Sequence, residues 1–299
     1  MSILEITWIG IDGSVWDLLR GAQGVWLAEG VRGLHLPDVT QVVQTSARVP
    51  GRQYLSTVYK PREVDLVLSV GDSSLFPVAG AQAWRTLDEA FWASTSAEVP
   101  GRLLVRSDTG GYRYLDCRLD AAPDPVYAND PGLQRFGQYA VTLVSDSPFW
   151  KGFDITKTFT YDVQPQNYYG GGPSTLGPPF YIAASSSLSS ATSPNPGDLP
   201  AFPRWTATGP GTHTFGLGPH VTTLPPLVAG ASVLINSDPF IDTVTDGAGN
   251  NFWPFVGSTD FSAPIPPGAN VPLSLAISGG TFMVSAITVA ITPLYRKAT

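Results

Sequence analysis

Few side chains in this sequence can do chemistry. It has three histidines, His35, His213 and His220, and a single cysteine, Cys117. No His-x-x-x-His pair occurs. His213 and His220 can approach each other around Gly216-Leu-Gly218, but no third ligand accompanies them, so the pattern does not make a zinc site. One cysteine allows no intrachain disulfide. Cys117 falls in the alternating run Tyr112–Leu119, where a small buried residue is expected, and it reads as core. Asp238, Asp242, Asp246 and Asn250 recur every four residues, yet the stretch lacks the terminal glutamate of an EF-hand loop and reads as strand–turn–strand. Asp88 and Glu89 are adjacent on a helical stretch, so they diverge and cannot flank one glycosidic bond. No Gly-x-Ser-x-Gly elbow or phosphate-binding loop is present, and Gly209-Pro-Gly211 and Gly216-Leu-Gly218 lack the third glycine of a dinucleotide turn. The expectation is a protein without catalytic residues, metal or cofactor.

Charge narrows the partners. The formal net charge is −7, which argues against a nucleic-acid surface, because phosphate neutralisation needs clustered cations. The longest apolar stretch, Phe282–Ile291, is about half of what a bilayer crossing needs, so no membrane insertion is expected. Glu5 and Asp12 sit where a secretory signal would carry positive charge, so synthesis and assembly in a cytoplasm are expected.

The elements that must position these residues differ between the halves. Residues 1–152 hold 30 of the 41 charged side chains; residues 153–299 hold 11 of them, 19 of the 28 prolines and no glutamate. Two domains are therefore expected, 1–152 and 153–299. In the first, Val64, Leu66, Leu68 and Val70 alternate with polar residues, as do Leu115, Cys117 and Leu119, and Tyr139, Val141 and Leu143. Arg102–Arg106 is a short strand turned by Asp108-Thr-Gly-Gly111. Gly80–Val99 carries Trp84, Leu87 and Phe91 at helical spacing and stops at Pro100-Gly101. The second half reads as all-β, with strands at 232–236, 240–244, 251–253, 271–277 and 282–291, the last with a parity slip that suggests a bulge or burial on both faces. Residues 168–200 form a Gly/Ser/Pro-rich insert expected to be a long loop with a short strand at Phe180–Ala184.

Ordered motifs add a resemblance. Gly30-Val-Arg-Gly-Leu-His-Leu-Pro37, Gln44-Thr-Ser-Ala-Arg-Val-Pro-Gly51, the helix Trp84–Trp92 and the closing Asp146-Ser-Pro-Phe-Trp-Lys-Gly152 resemble the N-terminal domain of the distal tail protein (Dit) family of long-tailed, non-contractile bacteriophages. Gly197–Trp205, Ile235–Trp253, Ile265–Asn270 and Thr292–Ala298 resemble its C-terminal sandwich in the actinobacterial-phage branch. The resemblance implies a mainly β chain, with a split-barrel-like sheet and one helix followed by a galectin-like β-sandwich or jelly roll. It further implies a structural virion protein: a homohexameric ring at the distal tail tip, between the major tail tube protein and the tail-associated baseplate hub protein, with the tape-measure protein as a further contact. The C-terminal domain is expected to project outward.

A closing ring needs two different faces on each copy. Arg48, Arg52 and Arg62 with Trp16 and Trp26 are the candidate ring contacts, since Arg and Trp are favoured interface anchors and Trp8 and Trp150 lie in the same half. The competing reading is a carbohydrate-binding module contacting the host wall, with Tyr168, Tyr169, Trp205 and Trp253 as aromatic platforms.

Overall fold

The computed structural model describes residues 4–28, 31–121, 123, 129–162, 187–256 and 261–299. The chain divides into two units: Met1–Phe153 together with Leu294–Thr299, and Asp154–Pro293. In chain order the first unit contains β1 (Leu4–Ile9), β2 (Val15–Asp17), β3 (Val25–Leu27), β4 (Val39–Ser46), β5 (Val49–Tyr59), β6 (Arg62–Gly71), α1 (Ala81–Ala93), β7 (Gly101–Ser107), β8 (Gly111–Leu119), the one-turn helix α2 (Pro131–Gln134), β9 (Phe136–Ser145) and β10 (Trp150–Lys151).

Its main sheet runs β2-β1-β7-β8-β9-β6-β3, antiparallel throughout. The two ends approach each other: the Leu18 N–H donates to Ile6 O and the Leu27 N–H to Leu18 O, so the sheet is a nearly closed barrel. Alternation explains the strands. Val64, Leu66, Leu68 and Val70 of β6 face inward with Leu103, Val105, Leu115, Cys117, Tyr139, Val141 and Leu143. Each such side chain contributes about 1.5–3 kcal/mol on burial.

Helix α1 packs Trp84 and Phe91 inward, and the Trp84 indole donates to Val70 O. It ends at Ala93, six residues short of Val99. The Ser94 and Thr95 hydroxyls turn back onto Phe91 O and Trp92 O, taking the carbonyls that a further turn would use. Burial pushes the Cys117 thiol up to about 12, as expected of a core cysteine rather than a reactive one.

The second unit is a sandwich of β11 (Ile155–Thr160), β12 (Thr192–Pro194), β13 (Arg204–Thr208), β14 (Thr212–Leu217), β15 (His220–Thr223), β16 (Ser232–Asn236), β17 (Thr243–Asp246), β18 (Asn270–Ser278) and β19 (Ala286–Ile291). One sheet runs β11-β19-β13-β16-β17, the other β12-β18-β14-β15. Trp205 of the first stacks on Phe215 of the second with ring centroids 5.2 Å apart, which locates the core between the sheets.

Three expected strands are corrected. Residues 238–242 form a turn before β17, because Asp238 captures the N–H groups that a strand would send sideways. Only Asn251 of 251–253 bridges, and Trp253–Phe255 is a 3-10 turn with Pro254 near its start. Phe282–Val284 is an exposed turn with Met283 at φ 58°, so the parity change marks the start of β19 rather than a bulge. In the insert, Tyr168, Tyr169 and the strand expected at 180–184 lie outside the described residues. Its end is structured: β12 joins a sheet, and the buried Asn195 amide donates to Leu199 O and Ile265 O.

The domain boundary also changes. After β19 the chain returns to the first unit as β20 (Leu294–Tyr295), pairing Trp150 with Tyr295 and Lys151 with Leu294. The Arg113 guanidinium lies over the Tyr295 ring and donates to Lys297 O, and the Ala298 N–H donates to Leu34 O. Residues 294–299 are thus part of the first core, a return that no shift in composition marks.

Candidate functional site

Strands β4 and β5 pair only with each other among the described residues. Their register runs from Val39 opposite Tyr59 to Ser46 opposite Val49, with irregularities at Val42/Val43 and Thr45/Ser46. At ~3.3 Å per residue, β5 alone is roughly 35 Å long. Neither face is covered. Val39, Val42, Tyr54, Leu55, Val58 and Tyr59 are between 39% and 58% exposed. A two-stranded sheet is marginally stable on its own in water, and open edges invite pairing. This arm therefore holds apolar side chains in water on both faces.

Its root is fixed by aromatic and hydrogen-bond contacts. Tyr59 packs edge-on against Phe149 at 4.9 Å, and the Lys60 N–H donates to Asp38 O. Arg62 begins the next strand and points inward. It is 3% exposed and donates to Gly33 O, His35 O, Pro148 O and Arg296 O at 2.6–2.9 Å. Burial pulls its guanidinium down to about 10, which leaves it fully protonated at neutral pH.

The tip is cationic. Between Asp38 and Glu63 the sequence has no acid, while Arg48 and Arg52 lie near the turn. Arg48 and Arg52 are exposed, and Arg52 donates to Gln41 Oε1 across the hairpin. Elsewhere in this unit several surface charges neutralise one another: Glu5 takes Arg20 and Arg106, and Asp116 takes Arg102 and Lys151. Among the described residues neither Arg48 nor Arg52 forms an ion pair. A shallow hollow at the tip is lined by Gln44, Ser46, Pro50, Gly51, Arg52 and Gln53, a set with no nucleophile–base pair.

The structure sorts the five candidates. Arg48 and Arg52 both lie on the arm, near its turn. Arg62 is the arm's buried anchor, and Trp16 is core, edge-on to Phe91 at 5.4 Å with its indole on Ser14 Oγ. Trp8 and Trp150 are likewise buried. Trp26 is half-buried on the terminal strand β3, beside Phe136 at 5.9 Å. The exposed Tyr54, Leu55 and Val58 were missed. The only available signal was a stretch of β-forming residues with apolar side chains on both faces.

No cluster of metal-ligating groups occurs among the described residues, and none of their helices is long and apolar enough to cross a membrane. His213 is buried, with its ring nitrogens 3.1 and 2.9 Å from Gly211 O and Thr208 O; burial holds its pKa below the usual range. Asp246 accepts from Ala248 and Asn250 in its own turn, which holds its carboxyl below the usual range. Trp205 is core, whereas Trp253 is partly exposed.

The fold of this chain is shared with solved phage tail proteins. The SPP1 Dit (gp 19.1) protein, described as a paradigm of the hub adsorption apparatus in phages infecting Gram-positive hosts, superposes with a TM-score of 0.62 at 13% identity. That match covers 98% of this chain and 99% of the SPP1 protein. A chain of the phage P2 baseplate in its activated conformation gives a TM-score of 0.55 at 13% identity, covering 98% of each. In sequence, the chain is 26% identical over 212 residues to minor tail protein Gp27 of Mycobacterium phage L5, covering 67% of this chain and 60% of that protein. It is 25% identical over 142 residues to minor tail protein Gp27 of Mycobacterium phage D29, covering 47% and 41%. The chain thus matches less than two thirds of these relatives' length. No family model matches. The chain is thus similar in sequence to phage minor tail proteins and shares its fold with the SPP1 Dit protein.

Proposed function

We propose that this protein is a structural hub at the distal tip of a long non-contractile tail. Six copies close a ring through the first unit. One side of the ring meets the major tail tube protein, the other the tail-associated baseplate hub protein, and the second unit lies on the outside. The carrying observation is the β4–β5 arm: both faces in water, six large apolar side chains exposed, and a tip with two arginines and no acid. Ring closure needs a heterologous contact, and a stable one buries at least ~1,000 Å². An arm laid on the neighbouring copy supplies such an area without disturbing either core.

Mass photometry of the purified protein, alone and with the tube protein, tests this. The expected species is a hexamer, and Arg48→Glu with Arg52→Glu reduces it to monomer without lowering the melting temperature. A protein that stays monomeric at high concentration with its tube partner present, or rings indifferent to both substitutions, would overturn the reading.

The carbohydrate-binding alternative keeps one observation, the partly exposed Trp253 beside Phe261. Binding of purified host wall glycan by the whole protein, lost on Trp253→Ala, would favour it.

A further inference from the structure

Phe240 is 99% exposed, on a turn that is not loose. Asp238 Oδ1 accepts the Phe240 N–H at 3.0 Å, and Asp238 O accepts those of Ile241 and Asp242 at 2.9 and 2.7 Å. Asp242, at φ 39°, completes the turn. Its foot is held by the buried Ser237, whose hydroxyl and N–H both donate to Pro203 O. The backbone is therefore fixed while the ring at its apex buries nothing.

A second aromatic segment flanks the same edge strand. The Phe252 N–H donates to Val244 O of β17, and the turn that follows sets Phe255 63% and Trp253 37% exposed. The surround is negative. Asp238 and Asp242 bracket Phe240-Ile241, Asp246 closes β17, and none of the three forms an ion pair among the described residues. The second unit has seven aspartates against two cations. Lys157 is spent on Thr192 O and Arg204 on Asp154, so no cation is left to neutralise the knob from its own unit.

Shape and charge select the occupant. Small ligands sit in concave sites with convergent polar groups, whereas this ring projects. An anionic lipid surface would repel the flanking carboxylates. A projecting aromatic with an acid on either side suits an apolar protein pocket rimmed by cations, with the ring as anchor and the charges guiding encounter. Resting on the reading of this chain as a tail component, we infer that the Asp238–Asp242 turn, with Phe240 at its apex, is a docking knob for another protein of the same particle, one whose surface offers an apolar pocket edged by arginine or lysine.

This contact is separate from ring closure, and the test keeps the two apart. The other structural proteins of the virion are purified, immobilised singly and exposed to the full-length protein and its variants, with the oligomeric state of each variant measured in parallel. One of them binds the parent. Phe240→Ser weakens that binding at least tenfold with melting temperature and oligomeric state unchanged, since the ring makes no internal packing. Asp238→Asn with Asp242→Asn keeps the acceptor oxygens of the turn and weakens binding several-fold at low salt, a difference that fades at high salt. The inference fails if no virion protein binds, if Phe240→Ser binds as the parent does, or if soluble wall polysaccharide binds instead and depends on Phe240.

Discussion

Two hairpins of the first unit share a motif and differ in fate. β7–β8 sends Leu103, Val105, Leu115 and Cys117 to one face, and its outer edges pair with β1 on one side and with β9 and β10 on the other. β4–β5 distributes Val39, Val42, Tyr54, Leu55 and Val58 over both faces and pairs with nothing further among the described residues. A hairpin with one apolar face is completed by its own chain. A hairpin with two half-apolar faces has no inside until another body supplies one.

The sharpest way to break this comparison is to remove a leucine from each. Leu115→Ala in β8 should cost about 2–5 kcal/mol in urea unfolding. Leu55→Ala in β5 should stay within about 0.5 kcal/mol for the isolated chain while weakening assembly. Equal losses would mean that the arm is already packed in the single chain.

Arg62 and Arg52 make a similar pair at the arm's root and tip. Arg62→Met removes the buried donor of four backbone carbonyls and should destabilise by roughly 3 kcal/mol or more, read as a lower melting temperature of the first unit. Arg52→Met should leave melting unchanged.

Thiol labelling sharpens the contrast further. Cys117 should resist iodoacetamide at pH 8 until the protein unfolds, because the thiol is buried and raised to about 12. A cysteine placed by Tyr54→Cys should label at the rate of a free thiol in the monomer and be protected in the ring. Mass spectrometry of timed aliquots reports both.

The smallest effect concerns pH. Asp88 accepts from Tyr139 and Trp92 but is half-buried, and burial outweighs those bonds, holding its carboxyl above the usual range. The native state therefore binds the proton more readily than the unfolded chain, so this group's contribution falls as pH rises from the ordinary carboxylate range through the native value. Asp88→Asn should flatten that slope above the ordinary carboxylate range in denaturant titrations, with little change at the acid end.

The same contrast explains what the sequence revealed. Strands buried on one face write their period into the chain, so β6, β8 and β9 were legible from Val64, Leu115 and Tyr139 onward, and α1 from Trp84 and Phe91. The arm was not, because Val39-Thr-Gln-Val-Val-Gln-Thr-Ser46 has no face committed to a core. Arg62 looked like a surface cation because its partners are backbone carbonyls, which have no side-chain signature. Phe240 looked like a strand residue because Phe-Ile is strand-forming, whereas the deciding atom is the Asp238 carboxylate two positions earlier. The return of Tyr295 and Ala298 to the first core was hidden by distance along the chain.

That return has a consequence for cleavage. The chain passes between its units twice, at Phe153–Asp154 and again at Pro293–Leu294. A protease that cuts once anywhere in 154–293 produces two pieces, each still rooted in the first unit, one through β10 and the other through β20. Shedding the sandwich takes two cuts, and a singly nicked chain keeps both its parts.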